Sequence, residues 1–393
     1  MNPDRSSKSN KPGLYVHIPF CSSICPYCDF AVLTGNRSRQ ERFVSHLLRE
    51  IDLADGEIRG FDTVYFGGGT PSFLYAEGLS EIANAIVKKG EKGWLDPGCR
   101  WFLEANPEDV EPSSLSVWRE LGIRTLSLGV QALDDEALPW LGRHHTVEDA
   151  RRSVGLAREA GFDEISLDLI YGRPGQESAD WRKELEAAVA LAPDHLSCYQ
   201  LTIHDQTLFG RRKREGEVME ASEDRQAELF RLTHEFLADA GYEGYEVSNF
   251  ARSQAHRSRH NQKYWYHTPY LGLGPSAHSF DGRSRFWNER LVLDWQKKID
   301  RGESAVDGRE TLSDEDFLLE AVMLCMRTKD GLDLAWVREQ FHIDFLKVNE
   351  ELVAKLSDDG LLELDEDWLR PTLDGLAVAD RLAVAFDVGT AST

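Results

Sequence analysis

The chain has 393 residues, 45 basic against 68 acidic for a net charge of −23, and a hydrophobic content of 41%. A surface that acidic repels phosphate backbones, which argues against a nucleic-acid partner, and no apolar run approaches the ~20 residues of a bilayer span. Six cysteines over this length are too sparse for a disulfide scaffold, so composition predicts a reduced, cytoplasmic setting and two or three packed domains.

The first segment, Met1 to Pro12, is polar without an apolar core. It predicts a disordered tail over 1–12 and neither a signal peptide nor an anchor. A strand over Leu14–Ile18 then runs into a loop holding Cys21, Cys25 and Cys28 in the spacing Cys-x3-Cys-x2-Cys. A zinc site wants four nitrogen or sulfur ligands, usually as two separated pairs. Three thiolates in one tight loop instead suit three corners of a [4Fe–4S] cube, leaving the fourth iron open to an exchangeable ligand. The alternative is an incomplete zinc knuckle or plain thiols. The remaining cysteines, Cys99, Cys198 and Cys325, are isolated and predict ordinary burial.

Further strands are predicted near 62–66, 101–105, 124–130, 165–171 and 195–203. Amphipathic stretches lie between them, such as Phe43, Leu47, Leu48 and Ile51, and a helix from Ser178 with Trp181, Leu185 and Val189 on one face. Six β/α units predict a parallel sheet covered by helices. Six is fewer than the eight of a closed barrel, so the expected fold is an open, partial (β/α)6 barrel.

Each candidate motif falls at a strand end, where such barrels keep their chemistry. Phe66-Gly-Gly-Gly-Thr-Pro-Ser72 lets the backbone approach a ligand, or is a simple turn. Glu104 could bind hydroxyls or an ammonium, or form a salt bridge at its strand end. Gln131 and Arg143 follow the fourth strand, and Asp168 is an ionisable residue inside an apolar strand, a placement that asks for a partner. Downstream, His260-Asn-Gln-Lys-Tyr-Trp265 offers an axial iron donor beside aromatic rings, or merely a solvated or capping histidine. His267 and His278 are alternatives.

A composition shift over 301–312 predicts a boundary between residues 13–300 and 301–393. The second part reads as three helices and a hairpin, a small winged-helix-like domain. It is acid-rich, which suits a lid or a partner-docking role better than DNA binding.

The cysteine spacing after a first strand resembles the radical S-adenosylmethionine (SAM) superfamily. Tyr15-Val-His-Ile-Pro-Phe-Cys21 and Cys25-Pro-Tyr-Cys28-Asp-Phe30 resemble the oxygen-independent coproporphyrinogen III oxidase family, and within it the haem-chaperone (HemW) branch, over roughly residues 13 to 380. The resemblance implies a [4Fe–4S] cluster whose open iron binds the amino and carboxylate groups of SAM, with reductive cleavage to a 5′-deoxyadenosyl radical. It implies SAM contacts from Tyr15, Tyr27, Gly68, Gly69, Thr70, Glu104, Gln131, Arg143 and Asp168, and haem binding near His260. One departure is Arg173, where the family's Tyr-Gly-Leu-Pro-Gly run leads one to expect a leucine near the rim.

The residue two places after Cys28 separates two functions. The oxidases resembled carry a further cysteine there; this chain has Phe30, and a phenyl ring neither ligates nor transfers hydrogen. The first expectation is therefore a haem chaperone, with haem, haem-acceptor proteins and an electron donor as partners. The second is a coproporphyrinogen III oxidase or related tetrapyrrole-modifying radical enzyme, which Phe30 disfavours.

Overall fold

A computed structural model of the chain describes residues 11–54, 56 and 58–389, so the tail expected at 1–12 lies, but for its last two residues, outside the described residues. Six strands run parallel, each hydrogen-bonded to the next: β1 (Gly13–Ile18), β2 (Phe61–Gly68), β3 (Leu95–Ala105), β4 (Ile123–Gln131), β5 (Glu164–Tyr171) and β6 (His195–Gln200). Helices α1 (Arg37–Leu53), α2 (Ala76–Gly90), α3 (Pro112–Glu120), α4 (Val147–Glu159), α5 (Ser178–Ala190) and α6 (Glu223–Asp239) form the outer layer.

Strand alternation sorts the two faces. Leu14, Val16 and Ile18 are fully buried in one core with Phe43, Leu47 and Ile51 of α1. The intervening Tyr15 faces the barrel interior, where it stacks on Tyr65. In the same way Leu126 and Leu128 pack outward while Ser127 points in, and Leu167 and Leu169 pack outward around an inward Asp168. Local signals set the helix starts. The Asn36 side chain caps α1 by accepting from the Arg39 N–H, and Thr146 with Asp149 makes a reciprocal capping box for α4.

The sheet stays open. Beyond β6 it continues antiparallel through β7 (Glu243–Gly244) and β8 (Asn249–Ala251), in the order β6-β8-β7. On the other side β1 pairs with β9 (Tyr270–Leu273), followed by β10 (His278–Phe280), β11 (Ser284–Asn288) and β12 (Val306–Thr311). β12 lies inside the 301–312 composition shift, so the sheet runs on through that stretch. Glu50 of α1 fastens this extension to the barrel: it accepts from the Gly274 N–H at 2.8 Å, from Asn288 at 2.7 Å and from Trp295 of α7 (Val292–Asp300) at 3.2 Å. Burial pushes its carboxyl up to about 7.

A second hydrophobic core begins at Leu318 and includes Val322, Val337, Phe345 and Leu369. It is built by α8 (Asp314–Cys325), α9 (Leu334–Phe341) and α10 (Glu350–Asp358) around a small antiparallel sheet. In that sheet β15 (Trp368–Pro371) lies between β13 (Leu332–Asp333) and β14 (Leu362–Asp365). Three helices with a β-hairpin wing match the expected winged-helix-like form. Among the described residues no helix is long and apolar enough to cross a membrane.

Candidate functional site

A cavity of about 400 Å³ lies at the C-terminal ends of the parallel strands. Its lining brings together Cys21, Cys25 and Cys28 with Tyr27, Gly68, Gly69, Thr70, Glu104, Gln131, Arg143 and Asp168. The cysteine loop is held by backbone contacts: Cys28 N–H donates to Cys25 O at 3.1 Å, and Phe209 N–H to Pro26 O at 2.8 Å. The glycine run sits against it, with Gly69 N–H donating to Ile18 O and Thr70 N–H to Phe20 O. A Cβ at Gly69 would come within 2.8 Å of the Phe20 carbonyl, and Gly68 has φ +112, so neither position accepts a side chain.

The polar groups of the cavity are clamped by neighbours. Tyr65 donates to one oxygen of Glu104 at 2.8 Å and the Gly68 N–H to the other at 3.1 Å; burial nonetheless pushes the Glu104 carboxyl up to about 7. Asp168, buried between Ser127 and Ser197, is pushed up to about 6. Arg143 donates to Asn106 Oδ1 at 2.6 Å and to Gly129 O at 2.9 Å, and its Nη1 lies 3.7 Å from Cys25 Sγ. Its buried Nε has no partner, an unsatisfied donor of the kind a bound anionic group would meet. Gln131 has φ +65 and follows a register irregularity between β4 and β5, the local strain that turns its amide toward the cavity.

Three sulfurs on one loop, facing one cavity, suit a cluster that takes one thiolate per iron. The Thr70 hydroxyl donates to Cys21 Sγ at 3.5 Å, a bond of the kind that tunes such clusters. Among the described residues no group of three His, Cys, Asp or Glu side chains is placed to hold a single metal ion.

Two expected ligand residues lie elsewhere. Tyr15 does not line the cysteine cavity; its hydroxyl meets His17 Nδ1 at 3.1 Å, and it faces a second cavity behind Gly68 and Glu104. His260 is 1% exposed, with Nδ1 at 2.9 Å from the Thr63 hydroxyl, Nε2 at 2.9 Å from the Tyr264 hydroxyl, and its ring stacked on Tyr65. Burial pushes it down to about 3, so the ring is a neutral part of the barrel interior with both nitrogens hydrogen-bonded. Its sequence context looks polar, but Tyr65 and Tyr264 enclose it in the fold.

Arg173 is likewise not at the rim. It is 6% exposed and pairs with Glu184, which also accepts from the Leu133 N–H at 3.0 Å and from Gln176 at 3.0 Å. The departure from leucine is thus compensated within the same turn and helix. Sequence reasoning missed Tyr65, Asn106, Ser127 and Ser197, the groups that hold Glu104, Arg143 and Asp168. Their signal was available: Tyr65, Ser127 and Ser197 all occupy inward-facing strand positions.

The description "Radical SAM superfamily" matches residues 15–188, and "HemN C-terminal domain" matches residues 312–378. The protein named heme chaperone HemW from Synechocystis sp. is 36% identical over 330 residues, 82% of this chain and 79% of that protein. HemW from Lactococcus lactis is 32% identical over 372 residues, 95% of this chain and 96% of that one. The solved coproporphyrinogen III oxidase (HemN) from Escherichia coli superposes with a TM-score of 0.83 over 97% of this chain and 91% of that one; at 23% identity the likeness is one of fold. With the three-cysteine cavity at the strand ends and the near full-length agreement with these relatives, the chain belongs to the HemW family of the radical SAM superfamily.

Proposed function

We propose that the protein is a haem chaperone of the radical SAM type, which holds a [4Fe–4S] cluster and SAM, binds haem and passes it to acceptor proteins. The observation that carries this reading is the pairing of a furnished three-cysteine cavity with Phe30 at the position where the oxidases resembled place a further cysteine. The Phe30 ring is 69% exposed and lines that cavity. It offers neither a ligand nor a hydrogen donor to a substrate there. Relatives across 74–95% of this chain bear the name heme chaperone HemW.

In this reading Cys21, Cys25 and Cys28 each ligate one iron. When bound and reduced, the cluster would supply the electron for reductive cleavage of SAM. Arg143 would pair with the SAM carboxylate, the backbone at Gly68 and Gly69 with Glu104 would meet the ammonium, and Gln131 and Asp168 would meet ribose hydroxyls. Thr70 and Tyr27 flank the sulfurs. Tyr15 acts from behind, through the strand that carries Gly68. An electron donor, a cytoplasmic setting and a docking role for the C-terminal unit complete the proposal; β12 and the start of the second core at Leu318 support dividing that unit from the barrel near residue 312.

The test is anaerobic reconstitution of the full chain, assayed in parallel for haem binding by its Soret band and for oxidation of coproporphyrinogen III with SAM and a reductant. Haem binding without porphyrinogen turnover is expected. Turnover of coproporphyrinogen III would replace the chaperone reading with the enzyme reading.

A further inference from the structure

Arg143, the proposed partner of the SAM carboxylate, stands at one end of a chain of side chains whose other end is a buried imidazole. Its Nη2 donates to Asn106 Oδ1 at 2.6 Å, and the Asn106 amide nitrogen donates in turn to Glu108 Oε1 at 3.3 Å. The other carboxylate oxygen of Glu108 lies 3.3 Å from Nδ1 of His145. His145 is 3% exposed, and its Nε2 meets the Val130 carbonyl at 3.0 Å. The chain thus joins the turn Pro107–Asp109 after β3 to the end of β4 and to the residue before Thr146, the N-cap of α4.

Two atoms of this chain have unused hydrogen-bonding capacity. Glu108 Oε2 and His145 Nδ1 are both buried, and neither makes a hydrogen bond among the described residues. A carbonyl only accepts, so His145 Nε2 carries a proton where it meets Val130. Burial raises the Glu108 carboxyl, but the imidazole, a backbone N–H and the Arg143 guanidinium together outweigh it. They hold the group below its ordinary range, ionised at neutral pH. A bare Nδ1 would then set its lone pair against a carboxylate. A second ring proton removes that conflict and makes the contact an imidazolium–carboxylate ion pair.

Building on the proposed pairing of Arg143 with SAM, we infer that Glu108 and His145 are positioning residues for the SAM carboxylate: they fix which way the Asn106 amide faces, and the amide fixes Arg143. An ionised carboxylate only accepts, so Glu108 keeps the NH2 end of Asn106 toward itself and leaves Oδ1 for the guanidinium. The amide turned over would set two donors against each other. With Nη2 committed to Asn106 and Gly129, the guanidinium keeps its buried, unpartnered Nε for the anionic end of the ligand. His145 does not line the cavity, so it acts through Glu108 rather than on the ligand. Held by Val130 on one side, it keeps Glu108 in place and offsets a charge that otherwise competes with the SAM carboxylate for Arg143.

The cluster-reconstituted full chain is titrated calorimetrically with SAM and with decarboxylated SAM, which keeps the amine and the sulfonium but offers Arg143 no carboxylate. Wild type should bind SAM the tighter of the two. Glu108→Ala and His145→Ala should each weaken SAM binding by about tenfold, the size of one charge-assisted hydrogen bond, and leave decarboxylated SAM unchanged. Iron content should match wild type in both. Glu108→Gln should return SAM affinity close to wild type, because its carbonyl still accepts from Asn106 and its amide donates to a neutral Nδ1. An equal loss for the two ligands in both alanine variants, or no loss for either, would overturn the inference. So would a Glu108→Gln protein as weak as Glu108→Ala. A wild type that binds the two ligands equally would remove the Arg143 assignment on which the inference rests.

Discussion

The Ser127 hydroxyl on β4 reaches both carboxylate oxygens of Asp168 on β5, at 3.1 and 3.0 Å. Together with Ser197 it holds a buried carboxylate on the wall of the cysteine cavity without any salt-bridge partner at that distance. Ser127→Ala should therefore weaken SAM binding by about 1.5–3 kcal/mol, the usual contribution of a hydrogen bond to a charged group. Calorimetric titration with SAM measures this. An unchanged affinity would mean that Asp168 does not touch the ligand.

The same burial predicts a pH dependence. Glu104 and Asp168 are raised to about 7 and about 6, so the ligand-free fold prefers both protonated and loses stability as pH rises from the ordinary carboxylate range through those values. A bound cation reverses the preference by favouring the ionised forms. SAM affinity should then climb as pH rises through 6 and 7 and level off above them. Glu104→Gln should flatten the upper part of that curve, as read from SAM-induced changes in the cluster's paramagnetic resonance spectrum.

Cluster content should depend on three cysteines alone. Cys21→Ala, Cys25→Ala and Cys28→Ala should each lose most iron and the sulfur-to-iron absorption, while Cys99→Ala should retain both. A full cluster in Cys25→Ala would refute the ligand assignment.

The barrel was legible because its signals are local. Parallel strands such as Ile165–Leu169 alternate one inward polar residue with apolar neighbours, and the cysteine spacing sits in a single loop. β7 to β12 were not legible: they are two to six residues long, and their pairings join distant segments, as in Tyr270 against Gly13. The burial of His260 was not legible for a related reason. Its neighbours in sequence are polar, but Thr63, Tyr65 and Tyr264 enclose it only once β2 is in place.

His260→Ala strands the Thr63 and Tyr264 hydroxyls in the barrel interior, which should cost about 1–3 kcal/mol of stability. Denaturant unfolding should show the loss, with the iron content of the folded protein unchanged.

Arg173→Leu restores the residue expected at that position yet should destabilise the chain by about 3–5 kcal/mol, because Glu184 stays buried beside an apolar side chain. Arg173→Leu combined with Glu184→Leu should recover much of that loss. A neutral single variant would show that Gln176 and the Leu133 N–H satisfy Glu184 by themselves.

The cysteine cavity and the second cavity behind Gly68 share Asp29, Phe30, Gly68 and Glu104, and that common wall has a thermodynamic corollary. An occupant of either cavity that shifts those residues changes the binding free energy of the other, and such coupling is symmetric: the factor by which SAM alters the affinity of a ligand in the second cavity equals the factor by which that ligand alters SAM affinity. If the factor exceeds one, loading of the two spaces is mutually reinforcing. If it falls below one, arrival of SAM becomes a release signal for the occupant of the second cavity, and a single wall of four residues serves as the communication line between them.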